Sequence, residues 1–427
     1  MRGDRSGLPM TKKVRTTGIF LAIVVCLSAC SPAPLDESTS QQNKMITPSP
    51  APPSQNESGY EECDEGNLRF DYNLNGAAAE AGFYYVQPCQ ETGYNLWYTD
   101  YATQESVVVC ANPQCEHCDE TCNGWFPCPA NPPMPAVWGD NLILVYLGNP
   151  FYLDVYGDDC LPKVEIAEKN GANRHEIARL SAAEQIYSKF MVDNNSLFFL
   201  VSTVEKATIQ PVQILKSMNL RTGEVVTLDT FSSETMATNY FLEGCNGEYL
   251  AIKRITAASG IAEPTNESVA SNIHEIMLFD RKGNTIKQIM QWNQGEITEY
   301  LNDDKLFYFD SEGNLYQSGW GDTDDKLISK LPVGVGTDNI SFSDYCEPWL
   351  IITAKDESKQ YVRWICNVDT GDMIESSFVD DLNEQIVNID REWSLLSDYS
   401  PDTGENHLLL VKTTDFIADL PNYTDVG

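Results

Sequence analysis

From Tyr60 to the end of the chain one pattern recurs: a short apolar or aromatic run, a loop, a second run, a tight turn and a third run. The leading runs are Phe83-Tyr84-Tyr85-Val86, Leu142-Ile143-Leu144-Val145, Leu197-Phe198-Phe199-Leu200, Tyr249-Leu250-Ala251-Ile252, Leu306-Phe307-Tyr308-Phe309, Trp349-Leu350-Ile351-Ile352 and Trp393-Ser394-Leu395-Leu396. Their starts fall roughly 43 to 59 residues apart, the spacing of one supersecondary unit repeated with loop insertions. The turns agree with this. Arg221-Thr222-Gly223-Glu224, Arg281-Lys282-Gly283-Asn284 and Asp369-Thr370-Gly371-Asp372 each place a glycine where a two-strand connection needs positive φ, beside a polar partner. No segment has a firm helical period; Ala178–Phe190 comes nearest and is weak.

Seven such units predict an all-β chain folded as a β-propeller of seven blades. Runs that do not alternate with polar residues fit strands buried on both faces, as radial packing of four-stranded sheets requires. A pair of β-sandwiches or a β-solenoid are the competing architectures. The last unit lacks an outer strand after Leu408-Leu409-Leu410-Val411. Asn67-Leu68-Arg69-Phe70-Asp71-Tyr72 is expected to supply it, joining the two ends of the chain and removing an exposed sheet edge.

The N-terminal segment reads differently. Lys12, Lys13 and Arg15 precede an apolar stretch from Gly18, and Leu27-Ser28-Ala29-Cys30 closes it. Charged, apolar and small residues in that order form a secretory signal, too short for a permanent membrane span. Leu27–Cys30 resembles a bacterial lipobox, which makes Cys30 the expected lipidation site and the first mature residue. Met10, just before Thr11-Lys12-Lys13, offers an alternative translation start to Met1. Residues 30–59 are rich in Ser, Pro, Gln and Asn with almost no large apolar side chains, and are expected to form a disordered stalk. The expected organisation is therefore a signal at 1–29, a stalk at 30–59 and a propeller at 60–427 that carries a Cys-rich insertion at 110–128. The expected location is the extracytoplasmic side of the cell membrane, with the lipid as the membrane contact.

Charge narrows the partners. The chain carries a formal −35, and loss of residues 1–29 takes it to about −39. So acidic a surface repels nucleic acid and anionic headgroups, and no nucleic-acid partner is expected. A monomer is expected.

The densest local signal is Cys110, Cys115, His117, Cys118 and Cys122, followed by Cys128. Two chemistries compete for it. Cys110, Cys115, His117 and Cys122 contain the three thiolates and one imidazole of a closed structural zinc site. The same residues, outside the cytoplasm, suit disulfides that staple a long irregular loop. The tight Cys-x-His spacing tilts the sequence reading toward disulfides, with structural zinc as the alternative and no other cofactor expected. Cys89 and Cys160 are placed where either could join this cluster. Cys346, just before the strand Trp349–Thr353, and Cys366, ending the strand Tyr361–Ile365, are expected side by side in a hairpin as a further disulfide.

A strand ending in Val108-Val109-Cys110, then Asn112-Pro113-x-Cys115-x-His117 and Cys122, all behind a stalked lipobox, resembles a group of uncharacterised Gram-positive bacterial lipoproteins. Those have a propeller-like repeat domain with a Cys-x(4)-Cys-x-His-x(4)-Cys segment after its first hairpin. The resemblance implies the same fold and tether and brings no activity with it. Cys118 and Cys128 are additional to that pattern.

Enzyme signatures are missing: there is no Gly-x-Ser-x-Gly elbow, no His-Glu-x-x-His and no phosphate-binding Gly-x(4)-Gly-Lys-Ser/Thr loop. His274 and His407 fall in expected strands as structural residues, and Asp303-Asp304, Asp324-Asp325 and Asp380-Asp381 read as solvated turns. The largest insertions, Ala111–Ala136, Gly148–Asn173 and Thr256–Asn272, are all expected on one face, which makes it the expected binding surface. The favoured function is a tethered binding or scaffold module for an extracellular ligand or protein. The alternative is a glycan-active hydrolase or lyase using carboxylates on that face, with Trp125 and Trp138 as exposed sugar platforms.

Overall fold

The computed structural model describes residues 69–70 and 76–427, except 90–92, 113, 128–131, 150–151, 194, 206–209, 233–237, 258–271, 303–304, 321–324, 333–339, 356–360, 377–383, 401–404 and 421. The signal, Cys30, the stalk and Cys128 lie outside the described residues.

Seven antiparallel sheets follow one another along the chain, each built from four consecutive strands. Blade 1 is Ala77–Ala79, Gly82–Cys89, Gly93–Asp100 and Glu105–Val108, with Trp125–Pro127 also paired to its third strand. Blade 2 is Met134–Trp138, Asn141–Tyr146, Lys163–Glu168 and His175–Arg179. Blade 3 is Glu184–Val192, Ser196–Glu205, Gln210–Asn219 and Val225–Ser232. Blade 4 is Thr238–Cys245, Tyr249–Thr256, Ile273–Asp280 and Thr285–Asn293. Blade 5 is Ile297–Asn302, Lys305–Asp310, Asn314–Gly319 and Lys326–Lys330. Blade 6 is Ser341–Cys346, Trp349–Lys355, Tyr361–Asn367 and Met373–Ser376. Blade 7 is Glu384–Ile389, Trp393–Ser400, Glu405–Lys412 and Tyr423–Asp425. The chain is a seven-bladed β-propeller, as the repeat predicts.

The seven leading runs all lie in second strands, and the packing explains their texture. Leu197, Phe199 and Val201 face blade 2, whereas Phe198 and Leu200 on the same strand face blade 4. Both faces are buried, so no polar alternation survives. Each of the seven interfaces between neighbouring blades holds its own apolar cluster, including one between blades 7 and 1. The turn glycines add to this packing. Gly223 has φ 71°, and a Cβ there would lie 1.9 Å from the carbonyl oxygen of Ile177 on blade 2. Only glycine lets that turn rest against the preceding blade.

The ring does not close as expected. Arg69–Phe70 pairs antiparallel with the first strand of blade 3, Arg69 opposite Val192 and Phe70 opposite Met191. Blade 7 takes its outer strand from the C-terminal Tyr423–Asp425, reached through the helical turn α1 (Thr413–Ile417). Blades 7 and 1 are held by Phe83, Tyr85 and Tyr101 packed against Leu395, Leu408 and Leu410. Asn388 Nδ2 donates to the Tyr101 hydroxyl at 3.2 Å, and Thr424 Oγ1 bonds Gln104 Oε1 at 3.1 Å across the same seam. Ala178–Phe190 is strand, loop and strand, with no helix.

The insertions also sort differently. Gly148–Asn173 is not one loop: it contains the strand Lys163–Glu168, and the true insertion of blade 2 ends at Pro162. That insertion carries a short helix, α2 (Leu153–Tyr156), and a 3-10 turn (Gly157–Cys160). Most of Thr256–Asn272 lies outside the described residues. Among the described residues no helix is long and apolar enough to cross a membrane.

Candidate metal centre

The Cys-rich segment does not lie in a connection on one face. It interrupts the outer strand of blade 1. Glu105–Val108 pairs with Trp97–Asp100, and Trp125–Pro127 pairs with Gly93–Asn95 on the same neighbour. Between them Val109 N donates to Leu96 O, and Leu96 N donates to Gly124 O, both at 2.8 Å. The ladder therefore runs straight past a lobe, Cys110–Asn123, that leaves the outer edge and returns to it.

This lobe has almost no apolar interior: of its described residues only Cys122 is buried. Its backbone is shaped by side-chain capped turns. Asn112 Oδ1 accepts from Gln114 N at 3.1 Å, and Asp119 Oδ1 accepts from Thr121 N at 2.9 Å and from its hydroxyl at 2.6 Å. His117 sits at φ 57°, a left-handed conformation unusual for a residue with a side chain. That twist sends its imidazole and its carbonyl to different partners.

The imidazole meets three thiols. The ligand atoms of Cys110, Cys115, His117 and Cys122 all lie within 4.8 Å of one another. His117 Nδ1 is 3.4 Å from Cys122 Sγ. A tetrahedral zinc ion with Zn–S of about 2.3 Å and Zn–N of about 2.0–2.1 Å separates its donors by about 3.5–3.8 Å. The donor set fits such an ion, and its donors need draw together by no more than about 1 Å to reach that spacing. Two sulfurs also receive amides of the kind that stabilise thiolates: Asn112 N to Cys110 Sγ and His117 N to Cys115 Sγ, each at 3.4 Å. None of these cysteines is joined in a disulfide. The sulfurs of Cys110, Cys115 and Cys122 converge with an imidazole in the arrangement of a ligand set, the alternative that the sequence offers beside disulfides.

Electrostatics point the same way. Burial lowers the His117 pKa, favouring the neutral imidazole that a metal requires. Burial opposes the Cys110 thiolate, but donors from Asn112 and Asn123 and neighbouring thiols outweigh it and hold its pKa below the usual thiol range. Burial pushes Cys122 far up. A divalent cation held by these sulfurs would offset the cost of ionising the buried Cys122 thiol.

The His117 carbonyl accepts from Asn95 Nδ2 at 3.0 Å and from the Cys89 thiol at 3.5 Å, which ties the lobe to blade 1. Arg174 ties it to blade 2. Its Nη1 donates to Asn123 O at 2.8 Å and Trp125 O at 2.9 Å, and its guanidinium lies 4.8 Å from the Phe126 ring centroid. Neither Asn95 nor Arg174 is marked in the sequence, where one sits in a strand and the other in an ordinary polar loop. Cys118 is partly buried and outside the four-residue set, and Cys160 closes the 3-10 turn of blade 2.

The expected Cys346–Cys366 disulfide is ruled out by register. Cys346 ends the first strand of blade 6 opposite Trp349, whereas Cys366 lies on the third strand opposite Leu350. A whole strand separates them, about 9.6 Å at two strand spacings, beyond the reach of a disulfide. They also face opposite interfaces, Cys366 toward blade 5 and Cys346 toward blade 7. Trp125 and Trp138 are half-buried, and Trp138 packs on the cluster between blades 2 and 3, so neither is an exposed platform. His274 is buried against Trp292, and His407 bonds Asp425 at 3.0 Å; both lie in strands as expected.

No protein-family model matches this chain, and no curated protein does. Among solved structures it is similar to an oligogalacturonate lyase from Vibrio parahaemolyticus, at TM-score 0.50 and 9% identity over 82% of this chain and 91% of that one. A puromycin hydrolase aligns at TM-score 0.52 and 10% identity, over 85% of this chain and 55% of that one. A prolyl endopeptidase aligns at TM-score 0.52 and 11% identity, over 83% of this chain and 48% of that one. The chain thus spans about half the length of the peptidases it matches. At such identities the likeness is one of fold, and the architecture that this chain shares with them is the β-propeller.

Proposed function

We propose that this chain is an extracytoplasmic lipoprotein, anchored through Cys30, whose propeller binds a surface ligand while a structural zinc ion at Cys110, Cys115, His117 and Cys122 stiffens the rim of blade 1. All four positions of a tetrahedral ion are taken by protein side chains, which suits a structural metal. The observation that carries the binding role is the exposed helical turn of the blade 2 insertion. Tyr152, Val155 and Tyr156 are 46%, 69% and 45% exposed, on one short helical turn. The other exposed large apolar residues among the described residues are dispersed: Val226, Ile286, Leu327, Ile374 and Tyr423 fall one to each outer strand of blades 3 to 7, and Leu420 lies outside those strands. Scattered single residues are ordinary, whereas a cluster on a protruding loop marks a contact surface. Sedimentation of the soluble domain with isolated cell envelope tests this. Tyr152→Ala with Tyr156→Ala should weaken binding at least tenfold, and Ile286→Ala should leave it unchanged; equal binding by all three sinks the reading. Alanine at Cys30 should release the full chain from membranes.

A glycan-active hydrolase or lyase is the second reading. It is favoured by Glu243 and Glu299, which stand on the neighbouring first strands of blades 4 and 5. Burial pushes the Glu299 carboxyl above its usual range against the pull of Lys253, as an acid catalyst would need. Each carboxylate has a lysine, however: Glu243 pairs with Lys189 at 3.0 Å, and Glu299 with Lys253. Such pairing neutralises them in place. Cleavage of oligogalacturonate to an unsaturated product, lost in Glu299→Gln, would establish the enzyme reading instead.

A further inference from the structure

The proposed zinc would use three of the thiols in this region and leave two others among the described residues. Cys89 ends the second strand of blade 1, and Cys118 follows His117 in the lobe. The Cys89 sulfur lies 3.5 Å from the carbonyl oxygen of His117, the group whose carbon is bonded to the Cys118 nitrogen. Standard peptide geometry then puts the Cys118 Cα at most about 6.3 Å from that sulfur, so that rotation of both side chains, with a small shift of the lobe, can bring the two sulfurs together. The approach is fixed from both sides. Asn95 Nδ2 holds the same carbonyl at 3.0 Å, and the left-handed turn at His117 directs its imidazole to the other three thiols. Asn95 is 4% exposed, and its Oδ1 is buried without a hydrogen-bond partner, so the Cys89 thiol and the His117 carbonyl meet beside a water-poor wall.

We propose that Cys89 and Cys118 form a disulfide beside the metal centre, so that the lobe is fastened twice: by zinc within itself and by a covalent bond to blade 1. The bond forms by exchange with an organic disulfide. The thiolate of one cysteine attacks a sulfur of the oxidant and releases one thiol. The second cysteine then displaces the other thiol from the mixed disulfide. The protein gives up two electrons and two protons, and the oxidant leaves as two thiols. The division of labour follows from the chemistry of the two sets. Thiolates bound to zinc are withdrawn from oxidation, whereas Cys89 and Cys118 are not ligands and remain available for exchange.

The formation of this bond in the cell rests on the export proposed above, but the geometry can be tested without it. Purified zinc-loaded protein is incubated with glutathione disulfide, denatured in chelator, alkylated without reductant and mapped by mass spectrometry. Cys89 and Cys118 should appear as one cross-linked peptide two mass units lighter than the sum of its parts, while Cys110, Cys115 and Cys122 are alkylated. Full alkylation of Cys89 and Cys118, or a cross-link from Cys118 to Cys128, overturns the inference. In Cys89→Ser, Cys118 should become alkylatable without reductant while the zinc content stays at one ion per chain. Absence of zinc with the cross-link intact would count against the metal reading alone. Protein taken from envelopes without added oxidant reads export separately, since a cross-link formed only in vitro preserves the geometry and removes the compartment.

Discussion

The substitution Cys122→Ser tests the metal centre most directly. Cys122 is 1% exposed, and its sulfur contacts the imidazole of His117 at 3.4 Å. Two residues later Gly124 accepts from Leu96, and Phe126, fully buried between blades 1 and 2, follows at once. Loss of the proposed ion should therefore be felt in the sheet as well as the lobe. An ion present at a thousand times its dissociation constant stabilises the folded state by about 4 kcal/mol. A domain of roughly 350 residues gains about 0.7 kcal/mol/K of unfolding entropy, so removal of the ion should lower Tm by about 5–6 °C. Metal analysis should find one zinc per chain in the parent and none in Cys122→Ser, and scanning calorimetry should give both the chelated parent and the variant the same lowered Tm. A parent isolated without zinc, whose Tm ignores chelator, would refute the reasoning. So would a variant that keeps both its zinc and its Tm.

Other outcomes follow from the fold. Gly223→Ala should destabilise the domain by more than about 2 kcal/mol, since it adds a clash with Ile177 O to the left-handed penalty. Gly139→Ala, at φ 55° with open space around it, should cost only about 1 kcal/mol in the same denaturant titration. Burial pushes the Asp344 carboxyl on the first strand of blade 6 up to about 6, although Tyr345 N and the Tyr300 hydroxyl both donate to it. The folded state then holds this proton more tightly than an unfolded chain with a pKa of about 3.9. The site's contribution is fully present below pH about 4 and is lost as pH rises through 6. Asp344→Asn should raise unfolding free energy at neutral pH by about 2–3 kcal/mol and flatten its slope between pH 4 and 6; an unchanged slope would contradict this.

The parts of the fold that were legible in the sequence are those set by burial. Second strands such as Leu197–Leu200 are apolar on both faces because two blades clamp them, and their recurrence counts the blades. The outer strand of blade 7 was not legible, because Tyr423-Thr424-Asp425 is too short and polar to stand out behind a helical turn. Arg69–Phe70 was recognised as strand but assigned to the wrong blade, since two paired residues carry no address. The candidate metal centre was visible as a composition and ambiguous as chemistry. Spacing alone does not reveal that φ at His117 is positive, and that angle brings the imidazole onto the thiols. The Cys346–Cys366 pairing failed on strand order. Cys346 ends the strand before Trp349 rather than the one beside Cys366, and opposite faces follow from the pleat.

The strand Arg69–Phe70 has a mechanical consequence. If the chain is tethered as proposed, tension drawn through Arg69 arrives first at the edge of blade 3 and not at the junction where the first and last blades meet. The load would then fall on a two-residue backbone ladder before it reaches the seam between the first and last blades.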